Sequence, residues 1–254
     1  MGRFTNLDFN DSAATPLDPE LDPWPNHDGP ACLAEGDVLF NKGAYEAALT
    51  SYSRALRHDR QMVSAWAGQI RCLLRLGELP EARTWSDRAL DKFSNHPELL
   101  AAKGVALVLD GDRLQGQEFL DGAVQERNPP VWAWIHRAEG LLLLDHPVGN
   151  AERCLLKAQE MLPNDAGMWL QCGIVWNKSK HPARARKALL EALRLDARNP
   201  QILYQCGLAH EQLGEKAAAS GYFERAIAER PGYKAAREAL ERTRRRSLFG
   251  FLRR

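Results

Sequence analysis

Between Glu35 and Leu56 the small and apolar residues fall at Gly36, Leu39, Gly43, Tyr45, Ala48, Tyr52 and Ala55. Steps of three and four residues place such positions on one face of a helix. The spacing predicts a first helix from about Pro30 to Asn41, a break at Gly43, and a second helix from Ala44 to about Arg57. The same arrangement returns about every 34 residues, a period that belongs to stacked helix–turn–helix repeats.

Six copies follow one another, over residues 29–62, 63–96, 97–130, 131–165, 166–199 and 200–233. Each position in the copy has a physical task. A glycine or alanine midway along the first helix lets the second helix come close, and alanines on the second helix do the same from the other side. An aromatic residue or leucine fills the space between them. Proline at the end of the copy, as at Pro163 and Pro231, stops the helix. Two copies depart from the pattern. The third has Gly116 where the others open the second helix with alanine, and the fourth needs one extra residue near His146-Pro147. After Tyr233 a further helix is expected over 234–246. It keeps Leu240 but puts Arg237, Glu241 and Arg244 at sites that are apolar in the repeats, which suits a polar cap on an open-ended stack.

Charge changes the picture only at the ends. The whole chain carries +1, yet residues 1–28 hold one base (Arg3) and six acids, with four prolines between them. Such a segment buries too little to offset its ordering entropy and reads as a disordered acidic arm. Its Phe4, Leu7 and Phe9 (FTNLDF) are either unremarkable or a short docking motif. Residues 247–254 form a basic, apolar tail, with Leu248, Phe249, Phe251 and Leu252 between two clusters of arginine. Hydrophobic stretches such as Gly140 to Leu144 are too short to span a bilayer, and no apolar leader is expected after Met1. Five cysteines without a CxxC pair read as buried reduced thiols, and a cytoplasmic location follows from that reading.

The pattern resembles the tetratricopeptide repeat family, most clearly in the sixth copy, GLAHEQLGEKAAASGYFERAIAERP. The resemblance covers about 205 residues from 29 to 233. It implies an all-α, right-handed superhelical solenoid whose concave face is lined by the first helix of each repeat. Carried onto this sequence, that lining includes Arg71, Arg75, Val105, Val108 and Leu109 in the earlier repeats. Trp132, Ile135, Glu139, Leu142, Leu170, Ile174, Asn177, Lys178 and Tyr204 follow in the later ones. The middle of this set is mostly apolar, and an exposed apolar strip marks a binding site. The expected partner is a protein segment, helical or extended, with apolar side chains, its acids meeting Arg71 and Arg75. The competing arrangement is one in which these side chains cover one another and leave no open groove. The family's capture of a chaperone carboxylate needs Lys and Asn at sites held here by Leu33 and Asp37, so that use is not expected.

No chemistry competes with this reading. The histidines fall mostly at helix ends, and there is no HExxH, GxSxG or phosphate-cradling loop, so no catalytic residue, metal or cofactor is assigned. The expected function is a non-catalytic adaptor or assembly scaffold. The alternative is a regulatory or peripheral membrane-associated subunit that acts through its tails, with a weak membrane-surface contact through Arg244 to Arg254. Nucleic acid ranks last, because Val105, Ile135 and Leu142 do not suit a basic, aromatic groove.

Overall fold

The computed structural model describes residues 28–251, with side chains as far as Arg245. Residues 1–27 of the acidic arm expected over 1–28, and the end of the basic tail, lie outside the described residues. Among the described residues there are thirteen α-helices and no strand. Six helix pairs follow in order: α1 (Gly29–Asn41) with α2 (Tyr45–His58), α3 (Val63–Leu76) with α4 (Leu79–Lys92), and α5 (Pro97–Leu109) with α6 (Arg113–Gln125). Then come α7 (Val131–Leu143) with α8 (Val148–Met161), α9 (Ala166–Lys178) with α10 (Pro182–Leu195), and α11 (Pro200–Gln212) with α12 (Lys216–Glu229). The last helix, α13, runs over Lys234–Phe251 and is longer than the capping helix expected over 234–246. The described residues form two compact units, one of those up to Phe40 with Ala44–Gly140, the other of Asn41–Gly43 with those from Leu141 on.

Each pair turns back at one residue with left-handed backbone. Glycine takes it at Gly43, Gly77, Gly111 and Gly214 (φ 71° to 99°), and Asp145 and Lys180 take it in the fourth and fifth repeats (φ 61° and 59°). The backbone requirement is thus kept in all six repeats, while glycine, which meets it without steric cost, is kept in four. The extra residue of the fourth repeat enters after Asp145 and before Ala151, so the turn itself stays in register.

Close approach between paired helices rests on small residues. Ala48, Ala82, Ala151, Ala185 and Ala219 are fully buried at the matching site of five second helices. In the third repeat both sides are glycine. A Cβ on Gly104 would sit 2.9 Å from the carbonyl oxygen of Gly116, and one on Gly116 would sit 2.9 Å from that of Gly104. Gly116 is therefore the contact point of the closest backbone approach in that repeat, rather than a weakened copy of alanine. In the second unit α13 lays Ala236, Ala239 and Leu240 against Phe223 and Ala226 of α12, while Arg237, Glu241 and Arg244 face solvent.

Junctions between repeats carry a second register. In the first unit one side chain of each second helix meets one of the next first helix through a polar contact. Gln69 Nε2 donates to Ser53 Oγ (2.7 Å), Lys103 pairs with Asp87 (2.6 Å), and Arg137 pairs with Asp121 (2.7 Å). At the corresponding sites of the second unit stand Leu156 with Cys172, and Leu190 with Cys206. The polar pair is replaced by an apolar one in two successive repeats.

Gly77→Ala should cost about 1 kcal/mol, since nothing lies within 4 Å of the added Cβ and only the backbone conformation resists it. Gly104→Ala should cost more, because its Cβ meets backbone. Lys180→Gly should leave stability unchanged or raise it. Urea unfolding midpoints would check all three, and an equal loss at Gly77 and Lys180 would contradict the turn assignment.

Candidate functional site

The first helices of the first unit do not present an open row of side chains. Successive first helices pack on each other, α3 on α5 for example, so side chains that point sideways are covered by the neighbour. Val105 and Ile135 are 1% exposed, and Val108 is buried with them. In the second unit Leu170, Ile174 and Asn177 are buried too, where α9 packs on α11. Of the residues assigned to the groove, Trp132, Leu142 and Tyr204 are half-buried, Lys178 is exposed, and Leu109 is 37% exposed. The continuous exposed apolar strip expected from sequence is thus corrected to a wall of buried residues with a few open positions.

Arg71 and Arg75 are satisfied from within the chain. The Arg71 guanidinium pairs with Glu98 of α5 and lies 4.4 Å from the Trp132 ring centroid and 5.7 Å from that of Phe40. Those two rings meet edge to face, 5.7 Å apart. Arg75 Nη1 donates to both carboxylate oxygens of Glu139, at 3.1 and 3.3 Å. All four charged side chains are nearly removed from water. Burial acts to lower the Arg71 pKa, but Glu98, Tyr52 and Asp37 outweigh it and hold the group above its ordinary value. Tyr52 donates to Asp37 (2.7 Å), and burial foremost, with Asp37 adding, raises its hydroxyl pKa despite Arg71. Asn177 is used in the same internal way, donating to the Gln205 carbonyl and side-chain oxygens at 2.9 Å each.

The described cysteines are all buried and free of disulfides. Burial pushes Cys72, Cys172 and Cys206 up to about 12, which removes the thiolate that nucleophilic chemistry needs. Among the described residues no group of three His, Cys, Asp or Glu could hold a metal ion, and no helix is long and apolar enough to cross a membrane.

A cleft that the sequence reading did not assign opens in the second unit between α8 and α10. It has a volume of about 650 Å³. Trp169 and Trp176 of α9 form its floor, and Leu156 and Leu190 stand on its lips, 51% and 47% exposed. The signal was present in the repeat register. Second-helix position 53, 87, 121, 156, 190 and 224 reads Ser, Asp, Asp, Leu, Leu, Glu, so two leucines occupy a site that is polar elsewhere.

Among the described residues, thirteen helices, twelve of them in six repeated pairs, define an all-α helical-repeat fold. A tetratricopeptide repeat model matches residues 33–97 and 178–234. The stretch left between them holds the third repeat, with Gly116, and the fourth, with its extra residue. No curated protein sequence matches the chain. Among solved structures, a tetratricopeptide repeat protein of Parabacteroides merdae aligns with a TM-score of 0.54 at 17% identity, over 88% of this chain and 86% of that one. Yeast Tom70 aligns at 0.54 and 14%, over 86% of this chain and 46% of that one. PilW, a widely conserved type IV pilus biogenesis factor, aligns at 0.51 and 16%, over 84% and 98%. At these identities the likeness is one of fold. Residues 33–97 and 178–234 thus carry tetratricopeptide repeats, and the described helix pairs share the fold of such proteins.

Removing one side of a buried ion pair leaves the other charge desolvated, so Arg75→Ala should cost about 3–5 kcal/mol in urea unfolding. The double change Arg75→Met with Glu139→Leu should recover most of that loss. Thiol labelling at pH 8 should be slow in the folded state and reach all five cysteines only in denaturant. A free thiol ionises near 8.5, below these buried ones. The unfolded chain therefore loses protons first, and stability should fall as pH rises from about 8.5 towards about 12.

Proposed function

We propose that this protein is a non-catalytic adaptor whose first-helix face holds a helical or extended segment of another protein through apolar side chains. The observation that carries the reading is the internal pairing of Arg71 with Glu98 and Arg75 with Glu139. With those charges neutralised inside the chain, the face has no strong demand for an acidic partner. What it offers to water is Leu109 and half of Trp132 in the first unit, and Leu142, Tyr204 and Lys178 in the second. The other members of the set, Val105, Val108, Ile135, Leu170 and Ile174, are buried and offer nothing to water.

The test follows from that division. Glutamate at Val105 or Ile135 would unfold the repeat and report nothing about binding. Leu109→Glu, Leu142→Glu and Lys178→Glu alter exposed or half-buried positions. The triple variant should keep its circular dichroism and lose proteins that the intact chain captures from its native lysate. Leu114→Glu on α6, at a site 82% exposed, should capture them as the intact chain does. An unchanged set of captured proteins in the triple variant would remove the first-helix face from the function.

A further inference from the structure

The cleft between α8 and α10 lies on second helices and is separate from the first-helix face just discussed. Its floor of two tryptophans and its leucine lips are apolar. Its charges are unequally used. Arg184 pairs with Glu152 (3.3 Å) and Arg194 pairs with Glu191 (3.0 Å), so both lining carboxylates are taken. Lys187 also lines the cleft and pairs with no carboxylate among the described residues. Arg153, one turn before Leu156 on α8, donates to the neutral amide of Asn150 (2.7 Å). Of the four bases on helix α10, Arg184, Arg186 and Arg194 pair with carboxylates, and Lys187 pairs with none among the described residues. Half-exposed leucines stand beside the unpaired cations Lys187 and Arg153, at a register position that holds a polar residue in the other four repeats. Their combination calls for a ligand that is apolar on one side and acidic on the other.

We infer that this cleft is a second docking site, taking an acidic amphipathic helix of a protein partner. The helix lies between α8 and α10, its leucine or aromatic side chains at i, i+3, i+4 and i+7 filling the space between Leu156, Leu190 and the two tryptophans. Its carboxylates meet Lys187 and Arg153. Two lips of 14 residues each, about 21 Å long at 1.5 Å per residue, match roughly four turns of such a helix. A small molecule sunk on the tryptophan floor would leave both lips in water, whereas a helix covers floor and lips together.

The probe is a fluorescein-labelled 18-residue peptide with leucine and tryptophan on one face and glutamate elsewhere, titrated with the full chain and followed by anisotropy. A second peptide replaces every glutamate by lysine. The acidic peptide should bind with a micromolar Kd, at least tenfold tighter than the basic one, and more weakly as salt is raised. Leu156→Glu and Leu190→Glu should each weaken it at least tenfold with unchanged thermal unfolding, as both side chains are half exposed. Lys187→Glu should reverse the preference between the two peptides. Equal binding of both peptides, no binding of the acidic one at millimolar concentration, or indifference to the leucine changes would overturn the proposal. Displacement of the probe by an unlabelled peptide of residues 1–12 would overturn the assignment to a separate partner, because the chain's own acidic arm would then be the occupant. The first-helix variants Leu109→Glu and Leu142→Glu should not affect this binding, so the two proposed sites fail or stand independently.

Discussion

A stack of helix pairs holds together only if each second helix can come as close to its first as a single small side chain allows. The fully buried alanines at Ala48, Ala82, Ala151, Ala185 and Ala219 meet that constraint, and the glycine pair Gly104 and Gly116 meets it by removing side chains from both helices. The large residues follow from it. Tyr52 can lie against Gly36 and Gly68, and Phe223 against Gly207, because a Cβ at those glycines would overlap the ring. The left-handed turn is the second half of the same constraint, for it returns the chain two or three residues before each second helix starts.

With pairing settled by small residues, the junctions between repeats are free to vary, and there the two units diverge. Hydrogen-bonded and ionic contacts link Ser53 to Gln69, Asp87 to Lys103 and Asp121 to Arg137. These contacts can set register because each polar group has a designated partner. Leucine and cysteine at the same sites of the second unit have no such directional demand, and the leucines remain half exposed. The difference concentrates apolar surface on one side of α8 and α10, next to basic side chains that the unit does not neutralise.

The repeat period, the helix pairs and the positions of the turns were legible because they depend on local spacing. The expected first and second helices of the opening repeat differ from α1 and α2 by about one residue at each end. The groove was less legible. Val105 and Ile135 lie on the predicted face, but spacing along one helix does not reveal that both are buried, as where α3 packs on α5. Arg71 and Arg75 read as free cations because their partners, Glu98 and Glu139, are 27 and 64 residues away on other helices. Leu156 and Leu190 could have been found by comparing one register position across all six repeats, since they break a polar column.

By itself the sequence determined the class of fold and the number of repeats, because periodic small and apolar residues leave few other ways to bury their faces. It also determined that the cysteines belong to the core. Only the tertiary structure decided which charged side chains remain available. A charge in water and a charge in a buried ion pair look the same in a sequence, and the difference lies in desolvation by helices that are distant along the chain. The same holds for the apolar positions. Whether a leucine is wall or surface depends on what the neighbouring repeat places over it.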